Sequence, residues 1–355
     1  MIRKNNHVML KSEIVNLPTT RYVGSKQKIV SWIWHNLQDI KFHSFLDLFG
    51  GTGVVGYTAK IHGKKIIYND LLKFNHIIGK AIIENNREKL LQEDIDYILK
   101  KGEGHYPNFI EKNFNDIYFT EDENRWLDMV ITNISSMKNE YKKALALYCL
   151  FQSCIRKRPY NLFHRKNLYV RLANVKRGFG NKTTWDTPFE THFREFANEL
   201  NSLIFDNKKD NLSLNYNALN FPESINADLV YIDTPYFSAH SNVGVDYRDF
   251  YHFLEGICNY ENWEKYIDRK SKHQRLKKDK TPWEDKRKIV FAFDRIFKRF
   301  KESILVVSYR SGGIPTEQDM FSLLKKYKAQ VEIIKRDYKY ALSHNDGKEL
   351  LFIAL

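Results

Sequence analysis

Asp233-Thr234-Pro235-Tyr236 puts a carboxylate, a proline-stiffened turn and an aromatic ring within four residues, and Phe237 adds a second ring. Val230 to Ile232 ahead of it read as a short buried strand that Pro235 prevents from continuing. Asp233 therefore stands at the carboxyl end of a strand, where open α/β sheets hold their ligands. Tyr236 and Phe237 offer flat faces for a planar group beside a hydrogen-bond acceptor. A plain β-turn with an Asp and a Pro accounts for the same residues, so the rest of the chain has to decide.

Other polar groups stand where a nucleotide could meet that carboxylate. Ser44 to Phe49 read as a strand, Gly50-Gly51-Thr52-Gly53 as a glycine turn, and Val54, Val55, Tyr57 and Ile61 as one face of a helix. Strand, glycine turn and helix in this order open a nucleotide-binding α/β domain, because glycine lets the backbone turn tightly and approach a ligand. Gly56 stands too early for the six-residue dinucleotide fingerprint. Lys65 to Asp70 read as a second strand, ending in an acid about 20 residues beyond the glycines, where a carboxylate accepts from ribose hydroxyls. That role is preferred to capping a helix near Leu71. Upstream, Gly24 and Ser25 start a helix over Ile29 to Leu37 and would aim backbone N–H groups at a ligand, with Lys26 adding charge. Taken alone, that stretch reads as an ordinary capped helix. Leu212 to Tyr216 form a further strand, with Asn217 at its carboxyl end as a hydrogen-bonding partner.

The elements that must position these groups belong to a chain of 355 residues, 43% hydrophobic and 14% aromatic, enough for a large domain and a smaller one. Phe74 to Leu91, Trp126 to Ile134, Tyr141 to Ile155 and Phe193 to Phe205 are predicted helices. Ser303 to Ser308, Val331 to Lys335 and Glu349 to Ala354 are predicted strands. Cys149, Cys154 and Cys258 show neither zinc nor redox spacing. No apolar run approaches membrane-spanning length, so a soluble intracellular protein without a membrane partner is expected.

The net charge of +14 points to a polyanionic partner. No acid occurs from Tyr141 to Trp185, whereas Lys142, Lys143, Arg156, Lys157, Arg158, Arg165, Lys166, Arg171, Lys176, Arg177 and Lys182 are all basic. A one-sign stretch interleaved with Tyr160, Phe163, Tyr169, Phe179 and Trp185 suits phosphates and base edges, in a predicted loop region over Arg156 to Trp185. Tyr266 to Lys288 hold a second basic run, with ten Lys and Arg against four acids. It reads as a mobile flap or a second phosphate-contacting arm; a solvated surface helix fits nearly as well.

The order Arg21-Tyr22-Val23-Gly24-Ser25-Lys26, Phe49-Gly50-Gly51-Thr52-Gly53, Asp70 and Asp233-Thr234-Pro235-Tyr236 resembles the D12 class (Dam-like, alpha-group) of DNA adenine-N6 methyltransferases. The resemblance covers nearly the whole chain. It implies a Rossmann-like α/β S-adenosylmethionine-dependent methyltransferase sheet with an inserted, mostly helical target recognition domain. Residues 1–92 and 202–355 would form the catalytic domain, and 93–201 the recognition domain. Tyr22, Lys26, Phe49, Gly51, Gly53, Asp70, Asn217 and Asp233 would bind the cofactor, Asn217 standing where the family often has an acid. Asp233, Thr234, Pro235 and Tyr236 would be catalytic, with no metal. The family usually has Pro where this chain has Thr234, but the group needed there is a backbone carbonyl, which every residue supplies. Arg156, Lys157, Arg158, Arg165, Lys166, Arg171, Lys176, Arg177 and Lys182 would contact double-stranded DNA.

The implied reaction is methyl transfer to the N6 amine of an adenine flipped out of a specific duplex sequence. Implied with it are a companion restriction endonuclease acting on the same site, a cytoplasmic location and a monomer as the default assembly. Cytosine-N4 transfer, adenines in RNA, and a non-catalytic DNA-binding protein retaining the fold stay open as alternatives.

Overall fold

The computed structural model describes residues 17, 22–175, 182–237, 244–338 and 347–355. Seven strands form one sheet: β1 Ser44–Asp47, β2 Lys65–Asn69, β3 Leu212–Leu214, β4 Leu229–Ile232, β5 Ile304–Arg310, β6 Val331–Tyr338 and β7 Gly347–Ala354. Their spatial order is β3-β2-β1-β4-β5-β7-β6. The first five are parallel, and β7 runs antiparallel between β5 and β6. From β1 the chain moves outward through β2 and β3, then returns to β4 on the other side. The order therefore reverses between β1 and β4, and such a reversal opens a crevice at the strands' carboxyl ends. This is a Rossmann-like α/β sheet, as the resemblance implies.

Residues of successive parity sort the core into two layers, because side chains alternate across a strand. Phe45, Ile66, Tyr68, Tyr231, Val306 and Leu351 face one core, with the helices Val30–Leu37, Val54–Ile61 and Lys73–Gly79 over them. Leu46, Ile67, Val230, Ile232, Leu305 and Phe352 face the other, covered by Ile289–Arg299 and Glu317–Lys325. All four residues of β4 are buried, as expected of a parallel strand covered on both faces. The edge strand β6 keeps Lys335 and Arg336 exposed, a charged border that discourages further pairing.

Between β2 and β3 the described residues form helices and turns, among them Gln92–Leu99, Glu121–Ser135, Glu140–Arg156 and Phe189–Ser202. Their apolar faces join the first core layer. Polar contacts also straddle residue 92: Asn139 donates to Glu88 Oε2 at 2.9 Å, Tyr141 hydrogen-bonds Glu84, and Leu90 exchanges two bonds with Asn201. The helical region is thus packed on the sheet through a shared core.

Two predicted elements end early for visible reasons. The helix expected to reach Leu91 widens into a π-turn over Lys80–Glu84 and stops at Asn85, whose Oδ1 accepts from the Arg87 and Glu88 N–H groups. The strand expected to reach Tyr216 ends at Leu214, because the Asn69 side chain takes over the Tyr216 backbone N–H and C=O. Among the described residues no helix is long and apolar enough to cross a membrane.

Candidate active site

At the β1–β4 reversal lies a cavity of about 440 Å³ whose walls include Tyr22, Lys26, Phe49, Gly51, Asp70, Asn217, Asp233, Thr234, Pro235 and Tyr236. Residues predicted from distant parts of the sequence are brought together here. Gly50 has no room for a side chain, since a Cβ would come within 2.0 Å of the Tyr68 ring. Gly51 and Gly53 take positive φ of 51° and 76°, where glycine is favoured. The turn is held by Tyr68, whose hydroxyl donates to the Gly51 carbonyl at 2.7 Å, and by Asp70, whose Oδ2 accepts from the Gly51 N–H at 2.9 Å. The other Asp70 oxygen accepts from the Leu72 N–H. An ionised carboxylate has about four acceptor positions, so both bonds leave Asp70 capacity for a ligand hydroxyl.

Tyr22 stacks on Tyr251 with ring centroids 4.5 Å apart and accepts from Asn75. Phe49 meets Trp283 edge to face. Asn217 is exposed at the rim, with its side-chain oxygen accepting from the Leu219 N–H. Residues 279–284, within the second basic run, also line the cavity. That run is folded back through the pairing of Ile267 with Leu276 and buries Trp283. It contains no α-helix between Ile267 and Lys288, so the surface-helix reading is corrected.

Around Asp233 the structure assembles charge. Lys26 Nζ lies 2.9 Å from Asp233 Oδ1 and 3.3 Å from Glu349 Oε1, and it also hydrogen-bonds the Tyr236 hydroxyl. That hydroxyl lies 3.0 Å from Asp233 Oδ1 and 3.2 Å from Glu349 Oε1, so its one proton can go to either. Ser308 Oγ donates to Glu349 Oε1 at 2.6 Å. The Tyr236 ring stands perpendicular to that of Tyr309.

Burial pushes the Lys26 ammonium down, but Asp233 and Glu349 outweigh it and hold it above the ordinary lysine value. Asp233 rises to about 6: burial and the charge of Glu349 raise it, and Lys26 and the Tyr236 hydroxyl hold it back. Asp47, at the end of β1, rises to about 8 through burial, although the Gly56 N–H bonds it. Sequence reasoning missed Glu349, Ser308 and Asp47. Each had been counted only as part of a strand; for Glu349 the available signal was an acid at the head of an apolar strand, Leu350-Leu351-Phe352-Ile353.

The basic stretch fares differently. Lys157 is buried and donates to the Trp185 and Thr187 carbonyls, with Glu123 at 3.0 Å. Buried Arg158 lies over the Tyr118 ring and bonds the Leu162 and Arg165 carbonyls and the Asn167 side chain. Arg171, also buried, forms a two-pronged pair with Glu123 at 2.7 and 2.9 Å. The expectation that Lys157, Arg158 and Arg171 meet phosphate is corrected: all three are buried and turned onto acceptors inside the protein. Arg156 pairs with Glu195, Lys166 with Asp116 and Lys182 with Asp186, so acids from elsewhere reach a stretch that has none. Arg165 and Lys166 are exposed, as are Tyr160 and Tyr169. Lys176 and Arg177 lie outside the described residues.

The chain is also similar in sequence to known proteins. The profile of the D12 class N6 adenine-specific DNA methyltransferase family matches residues 22–282. The chain is 28% identical over 346 residues to the type II methyltransferase M2.HphI of Haemophilus parahaemolyticus, covering 95% of this chain and 97% of that one. It is 29% identical over 362 residues to the modification methylase StsI of Streptococcus sanguinis, covering 94% and 51%. Against the type II methyltransferase M.FokI of Planomicrobium okeanokoites, 27% identity extends over 328 residues, 86% and 47%. The chain thus spans about half the length of the last two.

Proposed function

We infer the reaction from the premise that this chain belongs to the D12 class of N6 adenine-specific DNA methyltransferases: it transfers a methyl group from S-adenosylmethionine to the N6 amine of adenine in a specific duplex sequence. The observation that carries this reading is the placement of Asp233. Its carboxylate stands at the end of β4 beside the glycine turn, in one cavity with Asp70 and Tyr236. The space suits a nucleoside-sized ligand, small-molecule sites commonly having ~300–1,000 Å³. The glycine turn offers backbone that Tyr68 and Asp70 hold open, which fits the cofactor.

In this reading Asp70 accepts from the cofactor's ribose, Gly51 and Gly53 let it approach, and Tyr22, Phe49 and Asn217 line its site. S-adenosylmethionine supplies an electrophilic methyl carbon when bound. An adenine N6 is a poor nucleophile because its lone pair is delocalised into the ring. The Asp233 carboxylate and the Thr234 carbonyl each accept one amine hydrogen, which turns the lone pair out of the ring and stabilises the positive charge developing on nitrogen. Pro235 shapes the turn, and Tyr236 offers its ring to the flipped base. Transfer is direct, with no covalent enzyme intermediate.

The helical region 93–201 acts as the target recognition domain, with exposed Arg165, Lys166, Tyr160 and Tyr169 on its DNA-facing side. The names of the relatives support a modification enzyme that protects DNA beside a restriction endonuclease cutting the same site. The test is to incubate the protein with labelled S-adenosylmethionine and unmethylated DNA, digest to nucleosides and identify the labelled one. N6-methyladenine is expected. N4-methylcytosine would move the target to another exocyclic amine, and cofactor binding without label in DNA would overturn the reaction.

A further inference from the structure

Glu349 is fully buried, yet it is a carboxylate set beside another carboxylate. It shares Lys26 with Asp233, so two acids surround one ammonium. Two carboxylates buried side by side repel each other, and a glutamine of the same shape could keep hydrogen bonds there without that repulsion. The arrangement therefore calls for a reason.

The geometry supplies one. Lys26 and the Tyr236 hydroxyl both approach the same oxygen of Asp233, Oδ1. Glu349 Oε1 contacts both of these groups from the other side, and Ser308 fixes that oxygen in turn. We propose that Glu349 is a positioning residue for methyl transfer: from β7 it anchors Lys26 and Tyr236 on Oδ1 of Asp233, so that Oδ2 is the oxygen presented to the exocyclic amine. The proposal rests on the reaction inferred above.

The charges around Asp233 agree with it. Lys26 comes from the N-terminal turn, Asp47 from β1, Tyr231 from β4, Tyr247 from the helix Tyr247–Ile257, Tyr338 from β6 and Glu349 from β7. Lys26 and the Tyr236 hydroxyl pull Asp233 down, and Glu349 pushes it up. The amine needs an acceptor, so activity belongs to ionised Asp233. It is present above about pH 6 and is lost as pH falls through that value.

The experiment compares kcat/KM against pH for the wild type and Glu349→Gln, with cofactor affinity and thermal melting measured on both. Removing a charge that raises Asp233 should move the acid limb of the folded variant downward by roughly one pH unit. Turnover at neutral pH should fall about tenfold and cofactor affinity stay within about twofold. An unmoved acid limb in folded Glu349→Gln overturns the proposal. Should that variant not fold, Ser308→Ala decides, because it removes the hydrogen bond that fixes Glu349 Oε1 without altering charge. A severalfold lower kcat at an unchanged melting temperature supports the role, and a wild-type kcat overturns it. Wild-type protein that methylates no DNA would overturn the underlying reaction instead, so the two failures are distinct.

Discussion

Two buried charge clusters in this molecule use the same residue types in opposite proportion. At the end of β4, two carboxylates, Asp233 and Glu349, surround one ammonium, Lys26. In the helical region one carboxylate, Glu123, sits between two cations, Lys157 and Arg171. Burial raises the carboxyl group in both places. In the helical cluster Arg171 and Lys157 overcome it and hold Glu123 below the ordinary carboxylate range. At the sheet two carboxylates share Lys26, and Asp233 stays near 6, where its protonation changes close to neutrality. A charge balance tipped toward the opposite sign makes a clamp, and one tipped toward like sign makes a group poised for chemistry. Residue type alone does not separate the two; the count of neighbours does.

The strongest way to break the comparison is Asp233→Ala. Turnover should fall by at least ~10³-fold while DNA affinity, read by mobility shift, stays within about twofold. Equal loss of both would make Asp233 a structural acid like Glu123. Next in size, Glu123→Gln should lower stability by about 3 kcal/mol, since two buried cations lose their partner, while activity per folded molecule is retained. The sign is fixed by linkage: a depressed carboxyl stabilises the fold above its unfolded value, about 4.3, and loses that contribution as pH falls through its folded one. The melting gap between wild type and Glu123→Gln should therefore narrow below pH ~4, and a gap indifferent to pH would remove charge balance as its cause. The smallest effects belong to Arg165→Ala and Lys166→Ala. Each should flatten the log–log salt dependence of DNA binding by about one, with melting unchanged. An unaltered slope would take these residues off the DNA-facing surface.

What the sequence revealed followed the range of the interactions involved. The strand and glycine turn at Gly50–Gly53, Asp70 after β2 and Asp233 after β4 were legible because each is a local pattern, an apolar run closed by a turn or an acid. The sheet's order and its reversal between β1 and β4 come from the folded structure alone. Glu349 was not legible as a site residue, because only the insertion of β7 between β5 and β6 carries it to Lys26. The basic stretch misled for the matching reason. It is one-sided along the chain and neutralised in space by Glu123, Asp116 and Glu195, which no local window contains. Asp47 reads as one more strand residue, because its place in the cavity wall is a property of the folded sheet.

The position of β7 also has a meaning for how the protein is made. Lys26 is translated before Asp233, and Glu349 only after both, in β7. On the ribosome, a chain that lacks β7 leaves β5 without its antiparallel neighbour and Lys26 with Asp233 as its lone carboxylate partner in this cluster. The arrangement around Asp233 therefore waits for β7, and the cluster is assembled only once that strand has been made and inserted.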